Sequence, residues 1–288
     1  RSSTLTLSAL SDLVMDVGPV RSMQVVSCIT TEHKPFSLRE SWNIRIERHS
    51  TMEFTENAPI GIIGAMDIEV ALLKQMMLES GEVETVVAAG MEFMKGTIKG
   101  SSAIVVKCGV GMVNAAICAE VLIDRFNVAA IVNTGVAGSL DNSIEIGDIV
   151  IATDAVNHLM DVENLGYKPG QTPGIEPVFL PASKMLQDAL AKAAEEIGAT
   201  THSGRVASGD RFVRDAAEKD RITTTFDARC CEMEGAAIAQ ACYLSSVPCA
   251  IVRAISDKAD GTSTVDYRTF EDESAHRCAR LTAKLLEA

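Results

Sequence analysis

Residues 60–64 read Ile-Gly-Ile-Ile-Gly, a short apolar run closed by glycine. A run this short and this rich in β-branched residues reads as a strand buried on both faces. A helical pattern follows at about 67–78, with Val70, Leu73 and Met77 on one face. The alternation then continues to the end of the chain. Strands are predicted at 83–88, 91–98, 103–107, 129–132, 147–153, 204–207, 229–233 and 248–255. Helices are predicted at 112–126, 182–197, 215–223, 235–244 and 269–286. A long loop carrying Gly166, Pro169, Gly170, Pro173, Gly174 and Pro177 is of a length that loops with a function often have. Alternating strands and helices predict an α/β fold, a three-layer sandwich with a central mixed β-sheet flanked by helices.

Working outward, residues 1–57 lack this periodicity and are expected to be an N-terminal extension, poorly ordered and outside the chemistry. They read neither as a secretory signal, lacking an apolar core after a basic start, nor as a transit peptide, since Asp12, Asp16, Glu32, Glu40 and Glu47 are acidic. Met52, just before the first strand, is a candidate native start. Residues 58–288 are expected to be one domain. The whole chain has 288 residues, 47% of them hydrophobic, which excludes a disordered protein. Its net charge of −13 argues against a nucleic-acid backbone as partner. No apolar run is long enough to span a membrane. None of the eight cysteines forms a C-x-x-C pair, and several lie in apolar runs, as in a reducing cytosol.

Chemistry is expected at the strand ends, where open α/β sheets bind ligands. Small-residue turns are read there at 64–66, 109–111, 135–138 and 209–210. Acidic residues gather at the same places: Glu69 opens the first helix, Glu232 and Glu234 close one strand, and Asp257 closes another. Carboxylates at the ends of apolar strands are partly desolvated, and pairs pushed apart in pKa can divide acid and base roles. No dinucleotide fingerprint, P-loop or metal-ligand cluster is found, and His158 and His202 stand isolated.

The segments 61–70 (GIIGAMDIEV), 133–138 (NTGVAG), 207–213 (ASGDRFV), 231–236 (CEMEGA) and 252–257 (VRAISD) stand in the order of one family. Over about residues 59–288 the chain resembles the 5′-methylthioadenosine/S-adenosylhomocysteine nucleosidases of the purine nucleoside phosphorylase superfamily. The resemblance implies a nucleoside phosphorylase-like fold, a homodimer and hydrolysis of the N-glycosidic bond in the cytoplasm without cofactor or metal. It also implies a place in methionine salvage. It casts Asp257 as the acid that protonates adenine N7, Glu69 as the base for the attacking water, and Glu234 as the partner of the ribose hydroxyls. Arg253 falls near the water site, Met233 beneath the sugar, and Phe212 against the adenine face, with the Val213 backbone at its edge. Ser256 falls in the purine loop, and Val110 and Met66 near the sugar and 5′-thio group. Glu232, Ala137 and Gly138 are further substrate-binding candidates. Leu165 and Pro173 would belong to a loop lent to the neighbouring subunit's 5′-pocket.

Two departures stand out. Many members carry Ser or Thr where this chain has Val136, and many carry aspartate where it has Leu159. Relatives with the Gly-Val-Ala-Gly run also act on 6-amino-6-deoxyfutalosine. A phosphorylase is the second expectation, weakened because Val132-Asn133-Thr134 stands where phosphorylases place an arginine. A noncatalytic storage relative is the third, weakened because Glu69, Glu234 and Asp257 are all present.

Overall fold

The computed structural model describes residues 58–287. The expected extension at 1–57, with Cys28 and Met52, lies outside the described residues. In chain order the elements are β1 (Ile60–Gly64), α1 (Asp67–Ser80), β2 (Glu84–Ala88), β3 (Met91–Ile98), β4 (Ser101–Lys107), α2 (Met112–Phe126), β5 (Ala130–Ser139) and β6 (Ile149–Asn157). A single 3-10 turn at Glu163–Leu165 follows, then β7 (Leu180–Pro181), α3 (Lys184–Glu196), β8 (Thr201–Ser208), α4 (Ala216–Phe226), β9 (Ala228–Glu232), α5 (Gly235–Ser245), β10 (Cys249–Asp257) and α6 (Ser263–Leu285).

One mixed sheet holds all these strands. β1 lies between β4 and β5, parallel to both, and β3 and β2 extend the β4 side in antiparallel fashion. On the other side the sheet curls into a ring. β5 runs parallel to β10, β10 antiparallel to β6, and β6, β8 and β9 parallel to one another. β9 then returns antiparallel to β5 through Gly138–Cys231 and Ser139–Cys230. The three-layer reading of the sequence is therefore right, with one half of the central sheet closed on itself.

The period of two along β1 places its side chains on opposite faces. Ile62 packs with Val70, Leu73 and Met77 of α1 and with Ala279 and Ala283 of α6. Ile63 packs into the other layer with Ala119 and Leu122 of α2. Each such fully buried side chain contributes roughly 1.5–3 kcal/mol. α2 packs on α5 in that second layer, while α1 and α3 both pack on α6 in the first.

Two differences from the sequence reading bear on the site. Residues 135–138 are not a turn but the inner part of β5, buried throughout. Their small side chains lower strand propensity, yet they fit because neighbouring side chains crowd the backbone there. Helix α6 begins at Ser263 rather than 269, and the Thr262 hydroxyl at its start donates to the Asp266 carboxylate at 2.7 Å.

Candidate active site

A cavity of about 100 Å³ opens at the carboxyl ends of β1, β5, β9 and β10. Glu69, Glu232, Glu234 and Asp257 line it together with Met66, Val110, Ala137, Gly138, Phe212, Met233 and Ser256. Eleven of the residues expected at a site from sequence thus meet in one place. Val213 lines an adjoining recess with Phe212, Met233 and Asp257. Arg253 lies buried beneath the cavity and reaches its carboxylates. Leu165 and Pro173 do not line the cavity of this chain; Leu165 is 67% exposed. Sequence reasoning missed Tyr267, which lines the cavity from α6, because that helix was begun two residues too late to include it.

Glu69 sits in the first turn of α1, where backbone N–H groups point outward and favour an anion. Its Oε2 accepts from the N–H groups of Ala65 (2.6 Å) and Met66 (3.0 Å), and its Oε1 accepts from Val136 N–H (2.9 Å). Burial raises its carboxyl above the ordinary range, while Arg253 and these three donors pull it back down. Val136 thus contributes its backbone, not its side chain, to holding Glu69.

Glu232 ends β9 and caps α5. Its oxygens accept from Glu234 N–H (3.0 Å) and Gly235 N–H (2.8 Å), from the Ser208 hydroxyl and from Arg253 Nη2. Both oxygens are therefore committed to the protein. Arg253 Nη2 also donates to Asn133 Oδ1, and Nη1 lies 3.9 Å from Glu69 Oε1. Burial works to lower the arginine's pKa, but Glu232, Glu234 and Glu69 together hold it above its usual value.

Glu234 follows, and its Oε1 accepts from Gly111 N–H at 2.9 Å. Gly111 opens α2 at φ +103°, a left-handed conformation that glycine adopts without strain. Burial, with the neighbouring Glu232 carboxylate, pushes the Glu234 carboxyl up to about 7. Asp257 ends β10 just past a register shift between Ile255 and Asp257, the kind of irregularity that re-aims a side chain. Its Oδ1 accepts from Ala259 N–H (2.8 Å) and its Oδ2 from the Ser256 hydroxyl (3.0 Å).

Two glycines of β5 are required by close approach. A Cβ at Gly135 would lie 2.2 Å from Glu69 Oε1 and 2.4 Å from Arg253 Nη1; one at Gly138 would lie 2.8 Å from Asp257 Oδ1. Phe212 meets Tyr267 edge-on with ring centroids 5.5 Å apart. Among the described residues no lysine or arginine lines the cavity, and no cluster of three or more His, Cys, Asp or Glu could hold a metal ion. His158 is buried away from the cavity; burial and Arg221 push its imidazole down to about 4. His202 bonds Asp148 at 2.9 Å.

Residues 59–287 match the model of the phosphorylase superfamily. The chain belongs to this superfamily. Within it, the chain is similar to curated 5′-methylthioadenosine/S-adenosylhomocysteine nucleosidases. One from Halalkalibacterium halodurans is 41% identical over 223 residues, and one from Anoxybacillus flavithermus is 39% identical over 223 residues. Each match covers 77% of this chain and 95% of the relative. Its fold is similar to the crystal structure of the Neisseria meningitidis nucleosidase bound to methylthio-immucillin-A, with a TM-score of 0.77 at 33% identity, covering 80% of this chain and 99% of that one. A futalosine hydrolase of Helicobacter pylori is also similar, with a TM-score of 0.76 at 30% identity, covering 80% of this chain and 98% of that one.

Proposed function

We propose that this protein hydrolyses the N-glycosidic bond of 5′-methylthioadenosine and S-adenosylhomocysteine, releasing adenine and a 5-thioribose sugar. One observation carries the reading: separately held carboxylates line the cavity, and no cation lines it among the described residues. Breaking the bond builds positive charge on the ribose, as in other glycoside hydrolysis. Carboxylates suit that charge, whereas a phosphorylase needs cations for its phosphate. Arg253, the cation nearest these carboxylates, is held by Glu232 and Asn133.

Asp257 supplies the proton to adenine N7, since adenine leaves poorly until protonated. Glu234 binds the ribose hydroxyls and stabilises the developing cation. Glu69 takes the proton from the attacking water, and Arg253 favours its ionised form. Phe212 offers a face to the base, with Val213 at the base edge and Ser256 in the purine loop. Met233, Met66 and Val110 pack around the sugar and the 5′-thio group. Hydrolysis of 6-amino-6-deoxyfutalosine is the second reading, motivated by the likeness to the futalosine hydrolase. The curated nucleosidases, at higher identity, favour the first.

The same reading makes the protein a homodimer in which the loop holding Leu165 and Pro173 completes the partner's 5′-pocket. Val113 and Ile117, one turn apart on α2, are 69% and 43% exposed and support a covered face there. A cytoplasmic setting is supported by the seven cysteines among the described residues, all free and buried. No helix among the described residues is long and apolar enough to cross a membrane.

The test is adenine release from the three nucleosides with and without phosphate. Release from methylthioadenosine and adenosylhomocysteine in phosphate-free buffer is expected. Release only when phosphate is added would overturn the hydrolase reading, and turnover of aminofutalosine alone would install the second.

A further inference from the structure

A lysine stands at a core position of α4. Lys219, Ile222 and Phe226 are the buried residues of this helix, at a spacing that puts them on one inward face. Ile222 and Phe226 pack there with Leu140, Val213, Cys231 and Ala259. Lys219 is only 7% exposed, and a charge taken from water is costly unless its donors find acceptors. Its Nζ donates to Asn142 Oδ1 at 3.0 Å and to the Lys258 carbonyl oxygen at 2.8 Å. Neither acceptor is a carboxylate. A methionine would suit this apolar face without any desolvation of charge.

The carbonyl that takes this lysine belongs to the peptide group whose N–H, on Ala259, donates to Asp257 Oδ1 at 2.8 Å. A peptide unit is planar, so fixing its C=O fixes the direction of its N–H. A cation on the oxygen also draws electron density through the amide and makes the N–H a stronger donor, as along any chain of hydrogen bonds. The Lys258 side chain anchors the same segment again, through Ile144 O (2.7 Å) and Glu145 Oε2 (3.0 Å). As Asp257 passes its proton to the leaving base, negative charge develops on the carboxyl group that this N–H faces. A donor already aimed at a developing charge stabilises the transition state more than the ground state.

We propose that Lys219 is a positioning residue for the general acid: its ammonium group fixes and polarises the Lys258–Ala259 peptide, and through the Ala259 N–H it supports Asp257 as the proton leaves. This rests on the nucleosidase reading, which makes Asp257 the proton donor.

The test is a double-mutant cycle. Adenine release from 5′-methylthioadenosine gives kcat and KM for the wild-type chain, Lys219→Met, Asp257→Asn and the double variant, and a thermal melt establishes that each is folded at the assay temperature. Lys219→Met should lose about tenfold in kcat, less than the 10² to 10³ of a whole oxyanion donor, because the Ala259 N–H itself remains. KM should stay within about twofold, since the loss falls on the transition state. In the Asp257→Asn background, which has no proton to give, the same change should alter kcat by less than about twofold. Lys219→Gln is measured beside it and carries the same expectations should Lys219→Met not melt as a folded protein. An unchanged kcat, or an equal loss with and without Asp257, overturns the proposal while leaving the nucleosidase reading intact. A wild-type chain that releases no adenine overturns the nucleosidase reading, and full activity in Asp257→Asn removes Asp257 from the acid role; the proposal falls with either.

Discussion

Gly135→Ala is the smallest change that disturbs the site's centre. The added methyl would lie 2.2 Å from Glu69 Oε1, 2.4 Å from Arg253 Nη1 and 2.8 Å from Glu69 Cδ. Ordinary contacts begin near 3.4 Å, so one or both side chains must retreat by about 1 Å. Neither has free room. Glu69 is held by three backbone N–H groups, and Arg253 by Glu232 and Asn133. A catalytic group displaced by about 1 Å can cost about a hundredfold in rate. Overpacking a filled interior also costs roughly 1–3 kcal/mol of stability. The assay is kcat for adenine release from methylthioadenosine, with a thermal melt of the same sample. A drop of about a hundredfold in kcat in a variant still folded at the assay temperature is expected. A variant that keeps kcat within about threefold of wild type would show that Glu69 need not sit where its three donors hold it.

Further outcomes follow from the same geometry. Asp257→Asn should bind adenine but lose about 10² to 10⁴ in kcat, the usual worth of a general acid; unchanged turnover would remove Asp257 from that role. Glu234, raised to about 7, must be ionised to stabilise a cation, so kcat/KM should fall as pH drops through about 7; a profile flat from pH 8 to 5 contradicts this. The linked stability has the opposite sign. A carboxyl with a raised folded pKa binds more protons folded than unfolded, so its contribution declines as pH rises from the unfolded value toward about 7. Glu234→Gln should therefore lose less Tm than wild type between pH 5 and pH 8. Val113→Asp, at an exposed position on α2, should convert the proposed dimer to monomer in sedimentation or light scattering; a monomeric wild type, or a dimer unaffected by the change, contradicts the proposed α2 interface.

The strand ends that carry the chemistry were legible because apolar runs stop there at charged residues. Glu69 was expected to open a helix and Asp257 to close a strand, and both do. β5 was cut short for a physical reason. Its Gly135 and Gly138 look like turn residues in one dimension, but they are there because Glu69, Arg253 and Asp257 crowd the strand from other elements. Those contacts are distant in sequence, 67 positions from Glu69 to Val136 and 117 from Val136 to Arg253, and no local pattern announces them. Tyr267 escaped for the converse reason. Its helix start is polar, and its place at the cavity rests on contacts with Met66 and Phe212, which lie far away in sequence. The double duty of Glu232, as cap of α5 and anchor of Arg253, was likewise invisible until the fold brought Ser208 and Arg253 to it.

Stabilisation of a positively charged ribosyl group by carboxylates alone is tested most directly by binding a cationic mimic. The ligand is a methylthio-bearing iminoribitol carrying an adenine-like base, and its Kd is compared with that of 5′-methylthioadenosine on a slow variant such as Asp257→Asn and with KM on the wild type. Binding at least about a hundredfold tighter than substrate to the wild-type chain is predicted, the lower range for transition-state analogues. Affinity no better than that of methylthioadenosine would contradict a cavity built for a cationic transition state.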